Sequence, residues 1–221
     1  EQGAWHQPEF ALLEWYRTNW HLPQLIEELL SLIQTLFAPI PVQRETVASL
    51  FKQHVNLDPH CASDADLKTV LSQHTTWSSE LATESRRDLL NMIMAMIIEP
   101  VLSRTAITVI EDYPTPCCAL SQIDDQGDTP VAKRFELYIQ GIECANGYLE
   151  CLDYAEHQKR FLADQAHRRA HQRPTMGIDK RFMAALDSGL PHCCGVAVGI
   201  DRLFALSMNQ PMAETMICDT P

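Results

Sequence analysis

The chain has 221 residues, 46% of them hydrophobic and 21% charged, a mixture that supports a packed core and excludes disordered, collagen-like and low-complexity classes. The length allows one large domain or two small ones. Its 17 Lys+Arg against 29 Asp+Glu give a formal net charge of −12, the wrong sign for a protein whose main ligand is a phosphate backbone, although a local basic patch remains compatible.

In chain order, 8–16 is short and aromatic-rich and is predicted to be a strand. Pro23 stands at a first helical position, and Leu22, Leu25, Ile26, Leu29, Leu30, Ile33 and Phe37 follow at helical spacing until Pro39 and Pro41 stop the run. Further helices are predicted over 43–54, over 64–73 with Ser63 as cap, and over 84–98 with Thr83 as cap. Residues 20–100 thus read as a helical insertion with a structural role. From 105 onward the pattern changes. Residues 106–110 and 135–140 read as strands, Gly141 punctuates, and 142–150 resumes an extended pattern. A charged helix is predicted over 154–172 and another over 179–186. The apolar, Gly-flanked run 195–200 reads as a buried strand turning directly into a helix over 201–208. The sum is an α+β pattern, mostly antiparallel strands with helices attached.

No run reaches the roughly 18 to 20 apolar residues that cross a bilayer, and the stretch 89–98 is broken by Asn91. No n-region or h-region follows Glu1, so no signal peptide is expected, and the opening suggests a piece of a longer protein. Eight cysteines include the neighbours Cys117–Cys118 and Cys193–Cys194 without Cys-x-x-Cys or zinc spacing. Reduced thiols and a cytoplasmic location are the expectation.

Glycine-rich phosphate loops, His-Glu-x-x-His and Gly-x-Ser-x-Gly are absent from the sequence. His167 and His171 lie four apart on a helix, but Arg168, Arg169 and Arg173 around them repel a cation, so they read as a solvated face. Lys159, Arg160, Arg168, Arg169 and Arg173 present either a surface for an acidic partner or a solvated face. Three other sets carry chemistry. Glu136 and Glu143, seven apart, fall on opposite faces of an unbroken strand; a bend or bulge at Gly141 would bring both carboxylates to one side, where they suit Mg²⁺. Arg202 opens a helix after a Gly-containing strand, where anions are favoured; an Asp201 cap with Arg202 in a surface ion pair is the alternative. Gly195 and Gly199 would let a flat ligand approach. His6, Phe10, Glu14 and Tyr16 share parity on the first strand, an unusual face for either core or solvent that suits a cleft floor.

These sets coincide with a known pattern. His6-Gln7-Pro8-Glu9-Phe10 through Glu14-Trp15-Tyr16 resembles the second half of motif 2 of class II aminoacyl-tRNA synthetases, lysyl branch. Phe135-Glu136-Leu137-Tyr138 with Gly141-Ile142-Glu143-Cys144-Ala145-Asn146-Gly147-Tyr148 resembles that branch's metal- and amino-acid-binding strands. Gly195 through Leu203, Gly-Val-Ala-Val-Gly-Ile-Asp-Arg-Leu, resembles motif 3. The spellings Glu14-Trp15-Tyr16-Arg17, Ile142-Glu143-x-Ala145-Asn146-Gly147 and Cys193-x-Gly195-Val196-Ala197 lean toward the short paralogues of the branch, which lack an anticodon-binding domain and modify elongation factor P with (R)-β-lysine.

The resemblance implies a class II synthetase-type antiparallel sheet flanked by helices. Residues 1–221 would form a partial catalytic domain, with 20–100 as a helical insertion and with motif 1 and the front of motif 2 absent. It implies ATP and Mg²⁺ as cofactors: nucleotide near His6, Gln7, Phe10, Glu143, Cys144, Gly199 and Arg202, and Mg²⁺ on Glu136 and Glu143. Arg202 and Glu143 would be catalytic. A lysine-like amino acid would meet Glu14, Tyr16, Asn146, Tyr148, Glu150 and Ala197. Lysyl synthetases usually have Gly where Ala197 stands, and a methyl of that kind is worth roughly 1–3 kcal/mol of discrimination. The implied reaction is activation of lysine or β-lysine as an acyl-adenylate, then transfer to a lysine of elongation factor P. A catalytic fragment of a lysyl-tRNA synthetase, with tRNA as acceptor, and a non-catalytic synthetase-like binding protein are the alternatives. Motif 1 builds the family's dimer interface, so a homodimer is implied only for the full-length protein. A piece without the motif 2 arginine is expected to be inactive.

Overall fold

The computed structural model describes residues 3–75, 81 and 83–215. Its elements are β1 (Leu12–Thr18), α1 (Leu22–Leu36), β2 (Val42–Thr46), α2 (Val47–Val55), α3 (Asp64–Ser72), α4 (Arg86–Ile93), β3 (Ile107–Pro114), β4 (Ile123–Asp124), β5 (Val131–Ile139), β6 (Ile142–Leu149), α5 (Tyr154–Ala170), α6 (Lys180–Asp187), β7 (Cys193–Gly199), α7 (Ile200–Met208) and α8 (Met212–Thr215). One sheet runs in the order β1-β7-β6-β5-β3-β2, with β4 on β5. Every pairing is antiparallel except β2 with β3.

The period-two segments form strands because each has one face to bury. Val198, Ala145, Leu137 and Val109 stand side by side across β7, β6, β5 and β3. Against that face lies α1, whose Leu22, Leu25, Ile26, Leu29, Leu30 and Ile33 form the apolar stripe that its 3.6-residue spacing anticipates. Trp15 and Arg17 of β1 both donate to Glu28 of α1. The opposite face carries a second core at its β3/β5 side. There α2, α3 and α4 pack Leu50, Phe51, Leu67, Leu71, Leu89, Leu90 and Ile93 onto Ile110, Ala132 and Tyr138. The rest of that face, over β6, β7 and β1, forms a cleft.

Several sequence expectations need correcting. The first strand begins at Leu12, not at residue 8, so His6 and Phe10 sit on the loop before it and owe nothing to strand parity. The predicted helix 43–54 begins as a strand, because Val42–Thr46 finds a partner in β3 that the local pattern does not reveal; the insertion is therefore not wholly helical. Ser85, not Thr83, caps α4, its hydroxyl accepting from Asp88 N. The helix then passes into a π-helical turn, Met94–Ile98, and a short 3₁₀ turn, Glu99–Val101. Ser63 caps α3 as read, and α5, α6 and α7 lie within a residue or two of expectation. Among the described residues no helix is long and apolar enough to cross a membrane.

Candidate active site

Residues paired across an antiparallel sheet share a face, so the register sets the cleft floor. One row runs Glu14–Ala197–Asn146–Glu136 across β1, β7, β6 and β5. The next, two residues further along β1, runs Tyr16–Gly195–Tyr148–Arg134.

Glu143 joins this face through a bulge, at a different place from the one expected. The turn Gln140–Gly141 is a two-residue hairpin loop with φ of 54° and 76°, the pair of positive values that a tight antiparallel hairpin favours. It does not shift the faces. The shift lies between the pairs Leu137↔Ala145 and Tyr138↔Glu143, which leaves Cys144 as the extra residue on β6. Without it Glu143 and Asn146, three apart, would point to opposite sides. With it, Asn146 Nδ2 lies 3.5 Å from Glu143 Oε1.

A cavity of about 560 Å³ opens over the mouth of this floor, lined by His6, Gln7, Phe10, Glu143, Cys144 and Asn146, and also by Ala197, Gly199 and Arg202. All the residues expected to hold nucleotide are thus brought together. Arg202 lines the cavity rather than an open surface. It donates through Nη1 to the Glu143 carbonyl at 2.7 Å and through Nε to the Trp5 carbonyl at 3.2 Å, and its Nη1 stands 3.6 Å from Glu143 Oε2. Nor does Asp201 cap the helix: Gly199 is the N-cap residue, and Asp201 instead accepts from Ala11 N at 2.6 Å.

Glu136, Glu14, Tyr16, Tyr148 and Glu150 do not line that cavity. Glu14 and Tyr16 lie two and four residues past Leu12, and Tyr148 lies two past Asn146, so they continue the same face beyond it. At that end a Cβ on Gly195 would fall 2.5 Å from Tyr16 Cε1 and 3.1 Å from Glu150 Oε1. The Tyr16 ring and the Glu150 carboxylate therefore occupy the space that the sequence reading reserved for a flat ligand at Gly195. Burial pushes the Glu150 carboxyl up to about 7. Tyr16 is raised by burial and then by the charges of Glu150 and Glu14. A half-buried carboxylate with no cationic partner among the described residues suits an amine.

Around Glu136 the residues are tightly arranged. Its Oε1 accepts from Arg134 Nη2 and its Oε2 from Tyr138 Oη at 2.7 Å. Tyr138 Oη also lies 3.3 Å from Oε1 of Glu99. Burial raises the Glu143 carboxyl, with the like charge of Glu136 next in size. Glu99 is pushed up to about 7 by burial, then by Glu136 and Glu143. Crowded carboxylates with hard oxygen donors fit a divalent cation, which would relieve their mutual repulsion. Glu136 and Glu143 are thus the carboxylates that could hold a divalent cation here, although among the described residues no three His, Cys, Asp or Glu gather into a metal cluster.

Sequence reasoning missed Glu99, Arg134, Tyr138 and Trp5. Arg134 and Tyr138 carried a signal, since each is two residues from Glu136 on one strand. Glu99 carried none: the π-helical turn beside the cleft delivers it from the insertion that read as structural, and such turns are frequent at functional sites. His167 and His171 are not a solvated face. His167 Nε2 lies 3.1 Å from Asp88 Oδ2, and His171 bonds the carbonyls of His167 and Thr83, joining α5 to the start of α4. Of the basic cluster, Arg160 holds the carbonyls of Ala119 and Ser121, and Arg168 that of Pro174, whereas the Lys159 side chain is 79% exposed.

Comparisons with known proteins bear on the family of the chain. Residues 1–218 match the family described as tRNA synthetases class II (D, K and N). An elongation factor P–(R)-β-lysine ligase of Mannheimia succiniciproducens is 37% identical over 217 residues, 98% of this chain and 66% of the relative. The ligase of the same name from Hamiltonella defensa is 38% identical with the same coverage. That of Klebsiella pneumoniae is 36% identical over 220 residues, 100% of this chain and 67% of its own length. The chain spans about 66% of the length of the first of these relatives. A family match over nearly the whole chain, with relatives at 36–38% identity and a mostly antiparallel sheet, shows that the chain belongs to the class II tRNA synthetases of the D, K and N group.

Proposed function

We propose that the full-length protein is an ATP-dependent ligase that activates a lysine-like amino acid as an acyl-adenylate and transfers it to a lysine of elongation factor P. The observation that carries this reading is the meeting of Arg202 and Glu143, 59 residues apart in sequence, with 3.6 Å between guanidinium and carboxylate beside a cavity of about 560 Å³. The names of the relatives supply the acceptor and point to β-lysine.

In this reading Phe10 and the loop from His6 hold the nucleotide against Gly199 and Cys144. Arg202 neutralises the terminal phosphates. Bound on Glu136 and Glu143, Mg²⁺ would supply charge neutralisation for the polyphosphate. Glu150, Glu14 and Tyr16 receive the amino groups, and Asn146 lies near the carboxylate, which attacks the α-phosphate with loss of pyrophosphate. Ala197, between Glu14 and Asn146 in the floor, sets the depth available to the amino acid. Catalysis is positioning and charge neutralisation, with no covalent enzyme intermediate.

Pyrophosphate exchange by the full-length protein tests this directly, with β-lysine, α-lysine or no amino acid. Exchange with β-lysine, lost on chelation of Mg²⁺, is expected, and Arg202→Ala should lower it by roughly 10²–10³-fold. Exchange with α-lysine alone would point to tRNA as the acceptor, and absence of exchange to a non-catalytic binding protein; either result overturns the proposal.

A further inference from the structure

Among the side chains not assigned to substrate, Arg134 touches both ends of the cleft. Two residues before Glu136 on β5, it shares the face of that carboxylate. Its Nη2 donates to Glu136 Oε1 and its Nη1 to the Cys117 carbonyl, the latter at 2.9 Å. The Tyr113 ring lies 4.3 Å from its guanidinium carbon and the Tyr148 ring 5.6 Å. The side chain is only 12% exposed. It is gripped by β3 through Tyr113, by the turn after β3 through Cys117, and by β6 through Tyr148.

We propose that Arg134 is a positioning residue that fixes Glu136 and Tyr148 in one relation, so that a single guanidinium aligns the metal-nucleotide end of the cleft with the amino-acid end. This rests on the ligase reading above. A free glutamate samples several rotamers, whereas a planar fork seated on a carbonyl and two rings presents its donors in one direction and orients the carboxylate before any cation arrives. Tyr148, opposite Gly195 in the row that holds Tyr16, has its ring 5.6 Å from the same guanidinium. Lysine would keep the charge but lose the flat face and the second fixed donor.

The test compares Arg134→Lys and Arg134→Met with wild type in the full-length protein. Mn²⁺ binding in the presence of α,β-methylene-ATP is read by electron paramagnetic resonance, KM for the amino acid by pyrophosphate exchange, and folding by circular dichroism melts. The expected result is a Mn²⁺ affinity at least about tenfold weaker in Arg134→Met, with Arg134→Lys intermediate, and a higher amino-acid KM in both. A folded Arg134→Lys protein with wild-type Mn²⁺ affinity and wild-type KM would overturn the proposal, also where Arg134→Met fails to fold. Wild type that neither binds Mn²⁺ with the analogue nor exchanges pyrophosphate overturns the ligase reading itself, whereas an active wild type with indifferent variants removes only the role of Arg134.

Discussion

Glu150 separates two demands on one side chain: burial against Tyr16 and Gly195 weakens its acidity, and an incoming amine would restore it. Its carboxyl rises from 4.5 to about 7, so the folded chain binds this proton more tightly than the unfolded chain does. The sign follows from linkage. The stabilising contribution is complete below about 4.5 and is lost as pH rises through about 7. Glu150→Gln, which cannot ionise, should melt close to wild type near the acid end of this window and above it at the alkaline end. Thermal melts across the window read the difference, and because Glu99 titrates alike in both proteins, it cancels. A melting gap independent of pH would show that Glu150 is not held protonated by the fold. Binding of an amine ligand should strengthen over the same interval as Glu150 ionises.

At the scale of elements, the hairpin of β5 and β6 does two jobs with neighbouring irregularities. The turn Gln140–Gly141 closes it, and the extra residue Cys144 rotates Glu143 onto the cleft face. Arg104 braces the turn, its Nη1 donating to the Gln140 carbonyl at 2.5 Å. Gly141 has φ of +76°, and a Cβ there would meet Arg104 Nη1 at 2.9 Å. Gly141→Ala should therefore cost about 1–2 kcal/mol in urea denaturation, from the left-handed backbone alone. A cost near zero would mean that the turn adopts another form.

Across the whole molecule, one sheet separates two cores: α1 covers one face, and α2 to α4 cover the β3/β5 side of the other. The cleft exists because the second core stops short of β6, β7 and β1. Leu29 is fully buried in the first core, and Leu29→Ala should lower unfolding free energy by about 2–5 kcal/mol through lost transfer energy and the cavity left behind. Equilibrium denaturation measures this, and a loss below about 1 kcal/mol would contradict the packing of α1 on the sheet.

What could be read in the chain and what could not divide along the range of the forces involved. Helix periods, the Ser63 cap, the break at Gly141 and the strand pattern around Glu136 are local, and the residues themselves declared them. The three motif blocks named candidate residues through their resemblance, without saying how they meet. Tertiary structure alone decided that Val42–Thr46 is a strand, since its partner β3 lies some 60 residues on. It alone placed the bulge at Cys144, brought Arg202 to Glu143, set Arg134 against two tyrosine rings, and carried Glu99 from the insertion to Tyr138. Strand partner, register and long-range contact depend on which surfaces bury each other, and no window of neighbouring residues contains that information.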